Sequence, residues 1–287
     1  MTAAADQSAL YCGPVGPDQK TRQVRVLDLM AAKRRGEKWA MLTAYDYSTA
    51  ALLDAAGIPV LLVGDSAANV IYGYDTTVPV TVDELVPLAR GVVRGARRAL
   101  VVADLPFGSY QSSPTQALET AARFLKESGV HAVKLEGGRR VVPQVEALVT
   151  AGVPVMAHLG LTPQSVHALG GYQVQGRGEQ GERLLEDAKA LEAAGVFAIV
   201  LETIPAELAA RVTAVTSVPT IGIGAGPACD AQVMVWHDMA AFHVTGGPVP
   251  RFVKAYAKLG AGLQEAASHF AEDVRSGAYP GDEHTYR

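Results

Sequence analysis

Two charged residues interrupt an apolar stretch in "HAVKLEGG", residues 131–138. Lys134 and Glu136 stand two positions apart, so in a strand both project from the same face. A cation and an anion on one face of a core strand either pair with each other or hold something that carries charge. Comparable residues end other apolar stretches. Asp65 and Ser66 follow "LLVG", Asp104 ends "LVVAD", His158 ends "VMAH" and Glu202 ends "AIVLE". Four carboxylates, a lysine and a histidine therefore recur at the same place in a repeated pattern. Close carboxylates repel unless a cation or a proton sits among them. An oxygen-rich, thiol-free set suits Mg²⁺ better than zinc or copper.

Each of these residues also has an ordinary structural role open to it. Asp65 could close a turn, and Asp104 could prepare the turn at Pro106. Lys134 and Glu136 could be an ion pair at a rim. His158 could donate to a neighbouring carbonyl, and Glu202 could cap the helix around "PAEL". All of these roles holding at once, at equivalent strand ends, is the less economical reading.

The elements that would position them follow one motif: a helix, a glycine, a short apolar strand, a polar residue. It recurs around Gly57, Gly129, Gly152 and Gly195. Glycine just past a helix end takes the left-handed conformation, and a strand can begin at once. The apolar runs are nearly continuous, as in parallel strands covered on both faces. Strands are expected at 41–44, 59–64, 99–104, 131–136, 154–158, 197–202 and 219–224, with a weakly marked eighth near 241–245. Eight such units favour a (β/α)8 TIM barrel over an open doubly wound sheet, with the active site at the C-terminal ends of the strands. Helix starts agree. Thr81 with Glu84 forms a capping box, Ser113 with Gln116 repeats it, and Pro114 suits a first helical position. Pro87 within the first of these helices is expected to kink it. Residues 250–278 look helical and exceed the eight-unit count. Residues 1–22 read as a flexible arm and 23–287 as a single barrel domain with an extra C-terminal helical segment.

Composition narrows the partners. The net charge is −4, so no basic surplus points to nucleic acid or an anionic membrane. Cys12 and Cys229 show no metal-type spacing and no disulfide framework. The N-terminus lacks the pattern of a signal peptide, and no apolar run is long enough to span a bilayer. A soluble cytoplasmic protein is expected. Other stretches carry less. "GIGAG" (222–226) lacks the spacing of a phosphate loop. "GGYQVQGRG" (170–178) reads equally as a lid or a surface loop. "HDMAAFH" (237–243) reads as structural, and Arg94, Arg97 and Arg98 as a solvated helix end.

Longer runs carry a resemblance. "TAYDYSTA", "LLVGDSAANVIYGYDTTVPVT", "VVADLPFGSY", "AVKLEGG", "AHLGLTPQS", "GGYQVQGRG", "IGIGAG" and "YPGDEHTY" resemble, in order, the ketopantoate hydroxymethyltransferase (3-methyl-2-oxobutanoate hydroxymethyltransferase) family over about residues 25 to 285. The stretch "HDMAAFHVTGGPVPRF" fits the family pattern less well and leaves the register of the eighth strand open. The resemblance implies a barrel of the phosphoenolpyruvate/pyruvate type and a large homo-oligomer, typically a homodecamer of two pentameric rings. It implies Asp65, Asp104 and Glu136 as metal residues. It implies Asp65, Ser66, Asp104, Lys134 and His158 around the 2-oxoacid, and Glu202 as catalytic base.

The implied reaction belongs to pantothenate and coenzyme A biosynthesis. It moves a hydroxymethyl group from 5,10-methylenetetrahydrofolate to 3-methyl-2-oxobutanoate, giving 2-dehydropantoate (ketopantoate) through a Mg²⁺-stabilised enolate. Two other readings stand beside it. A Mg²⁺-dependent lyase of the isocitrate-lyase type would place a cysteine in a mobile mouth loop, and neither cysteine here lies in one. A metabolite-binding barrel without turnover would have no need of the full carboxylate set.

Overall fold

The apolar runs become eight short parallel strands in a computed structural model, which describes residues 9, 10, 14, 22–242 and 249–287. The strands are β1 (Trp39–Thr43), β2 (Val60–Val63), β3 (Leu100–Asp104), β4 (Ala132–Glu136), β5 (Val155–Gly160), β6 (Ala198–Glu202), β7 (Thr220–Ile223) and β8 (Ala231–Met234). They pair in chain order and close into a barrel, with Trp39–Leu42 of β1 against Ala231–Met234 of β8. Every side chain of β2, β3 and β4 is buried, which is why these strands read as unbroken apolar runs.

Strand periodicity divides the side chains in two. One connected core cluster contains Val60, Leu62, Leu100, Val102, Ala132, Met156, Ala198, Val200 and Ile221, which alternate along their strands. Stepping two residues further along the same face reaches Asp104 on β3, Lys134 and Glu136 on β4, His158 on β5 and Glu202 on β6. The charged residues are thus the top of the barrel's inward stripe.

The helix-to-strand joints form as the sequence implies. Gly57, Gly129, Gly152 and Gly195 have φ between 81° and 97°, a region that β-carbon-bearing residues avoid. Thr81 and Glu84 make the full capping box of the helix Val82–Gly95, which runs on through Pro87. Ser113 caps the helix Pro114–Arg123, but the Gln116 side chain turns to Ser112 and Gly108 instead of closing a box.

Two expectations are corrected. The eighth strand is not at 241–245. It lies at Ala231–Met234, seven residues after β7 with no helix between, and part of the expected stretch, 243–245, falls outside the described residues. Arg98 does not belong to a solvated helix end. It is buried, and its guanidinium donates to the Gly57 carbonyl at 3.1 Å. Arg94 and Arg97 are exposed as expected.

Contacts divide the chain into Met1–Met234, which holds the whole barrel, and Val235–Arg287. Most of the expected arm, 1–22, is outside the described residues; within it, Leu10 is buried and its N–H donates to Glu37. In the second unit, His237 packs on Trp236 with ring centroids 3.8 Å apart, while His243 lies outside the described residues. The expected C-terminal helix forms over Leu259–Ser276, and none of its side chains is buried. No helix among the described residues is long and apolar enough to cross a membrane.

Candidate active site

Register sets the charged residues side by side before any side chain is considered. Asp104 is paired with Lys134, Glu136 with His158, and Gly160 with Glu202. Neighbouring parallel strands lie about 4.8 Å apart, so each pair faces its partner across one strand spacing.

Lys134 is the centre. Its ammonium lies 2.9 Å from Asp104 Oδ1, 3.2 Å from His158 Nδ1 and 3.9 Å from Glu136 Oε1. His158 bridges two carboxylates, with Nδ1 3.3 Å from Glu136 and Nε2 3.2 Å from Glu202 Oε2. Asp65 joins from the loop after β2, its backbone N–H donating to Asp104 Oδ2 at 3.0 Å. Next to it, Ser66 shares a hydrogen bond of 2.7 Å with the Tyr45 hydroxyl. Asp65, Asp104, Lys134, Glu136 and His158 are all buried; the Glu202 side chain retains 15% exposure and is the member that faces the opening.

Burial and neighbours shift these groups strongly. Burial, with the charges of Asp104 and Glu136, pushes the Asp65 carboxyl well above the usual carboxylate range. Burial also raises Asp104, against the opposing pull of Lys134. For Glu136 burial is outweighed by His158 and Lys134, which leave its carboxyl below the ordinary value. The three carboxylates likewise outweigh burial at Lys134 and hold it charged. Burial and Lys134 pull His158 down, yet Glu136 and Glu202 carry it up to about 9. Shifts of this kind gathered in one cleft mark a functional site more often than a structural one.

Sequence reasoning missed three residues here. Gln164, in the turn after β5, donates its amide to Asp65 Oδ2 and to the Leu105 carbonyl, both at 2.9 Å. Its backbone N–H donates to Glu136 Oε2 at 3.0 Å. Tyr110 fixes which way that amide points, since its hydroxyl donates to Gln164 Oε1 at 2.8 Å and accepts from the Glu136 N–H. Tyr45 orients Ser66. All three lie inside "TAYDYSTA", "VVADLPFGSY" and "AHLGLTPQS", but no spacing rule separates them from surface polar residues.

The glycine-rich loop 170–178 lies beside the mouth. The Gln175 N–H donates to the Thr203 carbonyl, one residue past Glu202. Burial and the charge of Glu202 raise the Tyr172 hydroxyl above its ordinary value. The "GIGAG" turn is held internally, with Gln232 donating to the Gly226 carbonyl.

Among the described residues, no three His, Cys, Asp or Glu side chains are already drawn together as a ligand cluster. The donor chemistry nevertheless fits a hard cation. Asp65, Asp104 and Glu136 offer only oxygen, and the nearest groups to the buried Glu136 Oε1 are His158 Nδ1 at 3.3 Å and the Lys134 ammonium at 3.9 Å. Gln164 and Lys134 hold the three carboxylates near one another.

A closed parallel barrel with an inward charged stripe at its C-terminal mouth defines the class. It is the fold of the phosphoenolpyruvate mutase/isocitrate lyase barrels: a 2,3-dimethylmalate lyase of that superfamily matches with a TM-score of 0.58, covering 91% of each chain at 18% identity. The family follows from closer matches. The model of the ketopantoate hydroxymethyltransferase family matches residues 23–282, and the chain belongs to that family. The 3-methyl-2-oxobutanoate hydroxymethyltransferase of Frankia alni is 64% identical over 285 residues, 99% of this chain and 93% of the relative. The protein of that name from Saccharopolyspora erythraea is 61% identical over the full length of both. The chain is accordingly an enzyme of the transferase class.

Proposed function

We propose that this chain transfers a hydroxymethyl group from 5,10-methylenetetrahydrofolate to 3-methyl-2-oxobutanoate, forming 2-dehydropantoate in pantothenate biosynthesis. The observation that carries the reading is the buried Asp104–Lys134–Glu136–His158 cluster with the more open Glu202 at its edge, in a chain of this family. A C3 proton next to a ketone is weakly acidic. Its removal needs a base and a positive environment for the charge that arrives on the keto oxygen.

Lys134 supplies fixed positive charge where the carboxylate and keto oxygens of the oxoacid lie. Its own carboxylate neighbours keep it protonated. Ser66, oriented by Tyr45, adds a hydroxyl donor. Glu202 removes the C3 proton, and His158 holds the Glu202 carboxylate in place through Nε2. The nucleophilic carbon so produced attacks the one-carbon unit presented by the folate; water supplies the oxygen of the new hydroxymethyl group, the carbon–nitrogen bonds to the folate break, and tetrahydrofolate leaves with the C3 proton and the second hydrogen of that water on its nitrogens. Asp65, Asp104 and Glu136 would hold Mg²⁺, which when bound acts as a Lewis acid on the oxoacid oxygens. Gln164 keeps Asp65 and Glu136 aimed into the site.

The partners follow from the same reading: an anionic oxoacid, a folate cosubstrate, no nucleic acid and no membrane, in the cytoplasm. A homo-oligomer, a decamer by family resemblance, is supported by the helix Leu259–Ser276. Its Leu259, Leu263, Phe270 and Val274 are all at least half exposed and recur every three or four residues, or multiples of that.

The test is Glu202→Gln, followed by the loss of the C3 proton of 3-methyl-2-oxobutanoate in deuterated water. Exchange should fall by roughly 10²-fold or more while the oxoacid still binds. Exchange at the wild-type rate would remove Glu202 from the role of base.

A further inference from the structure

A cavity of about 490 Å³ lies between the loops that follow β4 and β5 and the helix Glu179–Ala193. Gly160 forms part of its wall, and Gly160 is the residue paired with Glu202. Gly160 has φ 96°, and a β-carbon there would lie 2.2 Å from the Glu202 carbonyl oxygen. One residue of the cavity wall is therefore packed against the backbone that carries the proposed base. The glycine-rich loop forms another wall through Gly176, and the Gln175 N–H of the same loop donates to the Thr203 carbonyl, next to Glu202.

Three arginines line this space. Arg139 is committed, paired with Glu186 and Asp187 at 2.9 and 2.8 Å. Asp187, the acidic residue of the cavity wall, is thereby neutralised. The other two are not committed. Arg140 donates only to the Ser165 hydroxyl, at 3.2 Å, and Arg183 forms no ion pair among the described residues. Exposed arginines that line a cavity without carboxylate partners suit planar, bidentate anions, above all carboxylates. Leu169 and Leu184 give the wall apolar surface, beside the polar Thr162, Gln175 and Gln180. An aryl group fits such a surface.

We propose that this cavity binds the tail of the one-carbon donor, with the glutamate carboxylates on Arg140 and Arg183 and the aryl ring between Leu169 and Leu184. The inference rests on the folate reading above and goes beyond it by placing the donor. The one-carbon unit must reach C3 of an oxoacid deep in the mouth, next to Glu202. The rest of the donor must then extend away from Glu202, and this cavity has Gly160, the β5 neighbour of Glu202, in its wall. Its two free cations match the two carboxylates of a terminal glutamate.

The experiment compares tetrahydrofolate with tetrahydropteroate, which carries the same pterin and aryl ring but no glutamate. Binding of each to the full-length wild type and to Arg140→Ala/Arg183→Ala is measured by calorimetry. Turnover with the methylene form of each is measured in parallel. Wild type should prefer the glutamate-bearing ligand by about 10-fold or more, the value of one good charge-assisted contact. The double variant should lose that preference, with the change in turnover falling on the KM for the donor. An equal preference in wild type and variant, or none in wild type, overturns the proposal. C3 proton exchange by the wild type, measured without any folate, tests the underlying functional reading separately. If exchange occurs but the tail preference is absent, only the placement of the donor fails. If exchange is absent but a tail preference depends on the two arginines, the placement stands and the reaction must be reassigned.

Discussion

The two ends of the barrel treat buried carboxylates in opposite ways. At the N-terminal end of the strands, Asp54 accepts hydrogen bonds from the backbone N–H groups of Arg97, Arg98 and Ala99, at 2.7 to 3.3 Å. Asp230, just before β8, receives Lys33 at 2.9 Å together with the N–H and hydroxyl of Thr220. Both carboxylates are satisfied by donors of the fold itself. At the C-terminal end, Asp65, Asp104 and Glu136 crowd one lysine, Glu136 Oε1 has only the long approaches of His158 and Lys134, and burial drives Asp65 far above its ordinary range. The first arrangement stabilises the native chain. The second is costly in the isolated protein and makes sense where a ligand completes it.

Substitutions at the two ends should therefore separate activity from stability. The largest effect is expected from Asp65→Asn. It removes a proposed cation ligand and should reduce kcat/KM by about 10³-fold, roughly 4 kcal/mol on the barrier. Because it also relieves repulsion, thermal unfolding should show unchanged or slightly increased stability. A variant that loses stability in step with activity would erase the contrast.

Asp54→Ala is the counterpart at the other end. It leaves three backbone N–H groups without acceptors in a buried site and should cost about 3–4 kcal/mol, seen as a fall in Tm of roughly 10 °C. The folded fraction should keep wild-type kcat. Asp230→Ala should cost less, about 2 kcal/mol, since Lys33 still reaches the Thr213 carbonyl at 3.0 Å. Denaturant unfolding would check it. The smallest effect belongs to a cap on the barrel's outside. Thr81→Ala should cost about 1 kcal/mol with no effect on turnover.

Much of this contrast was legible before the structure, for a definite reason. Parallel strands buried on both faces leave a strong apolar signal, and a charged residue two positions past a core residue stands out against it. Asp104, Lys134, Glu136, His158 and Glu202 were visible in that way. The eighth strand was not, because Ala231–Met234 is four residues long, includes an exposed Gln232, and follows β7 without a helix. Gln164 was hidden for another reason. A glutamine in a turn looks like solvent-facing polarity, and only the fold shows its amide reaching Asp65, 99 positions away. Arg98 misled similarly, since arginines after a helix usually point to water, and here the Gly57 carbonyl captures the side chain inside.

The central claim is that the crowded carboxylates at the mouth are held for a hard cation and an anionic substrate. Thermal unfolding of the full chain against Mg²⁺, with and without 3-methyl-2-oxobutanoate, tests it most directly. Mg²⁺ at a hundredfold excess over its Kd should raise Tm by roughly 5 °C or more, with a further rise when the oxoacid is added. Asp65→Asn/Asp104→Asn should show neither shift. A wild type whose Tm does not respond to Mg²⁺, or a double variant that responds equally, would contradict the account.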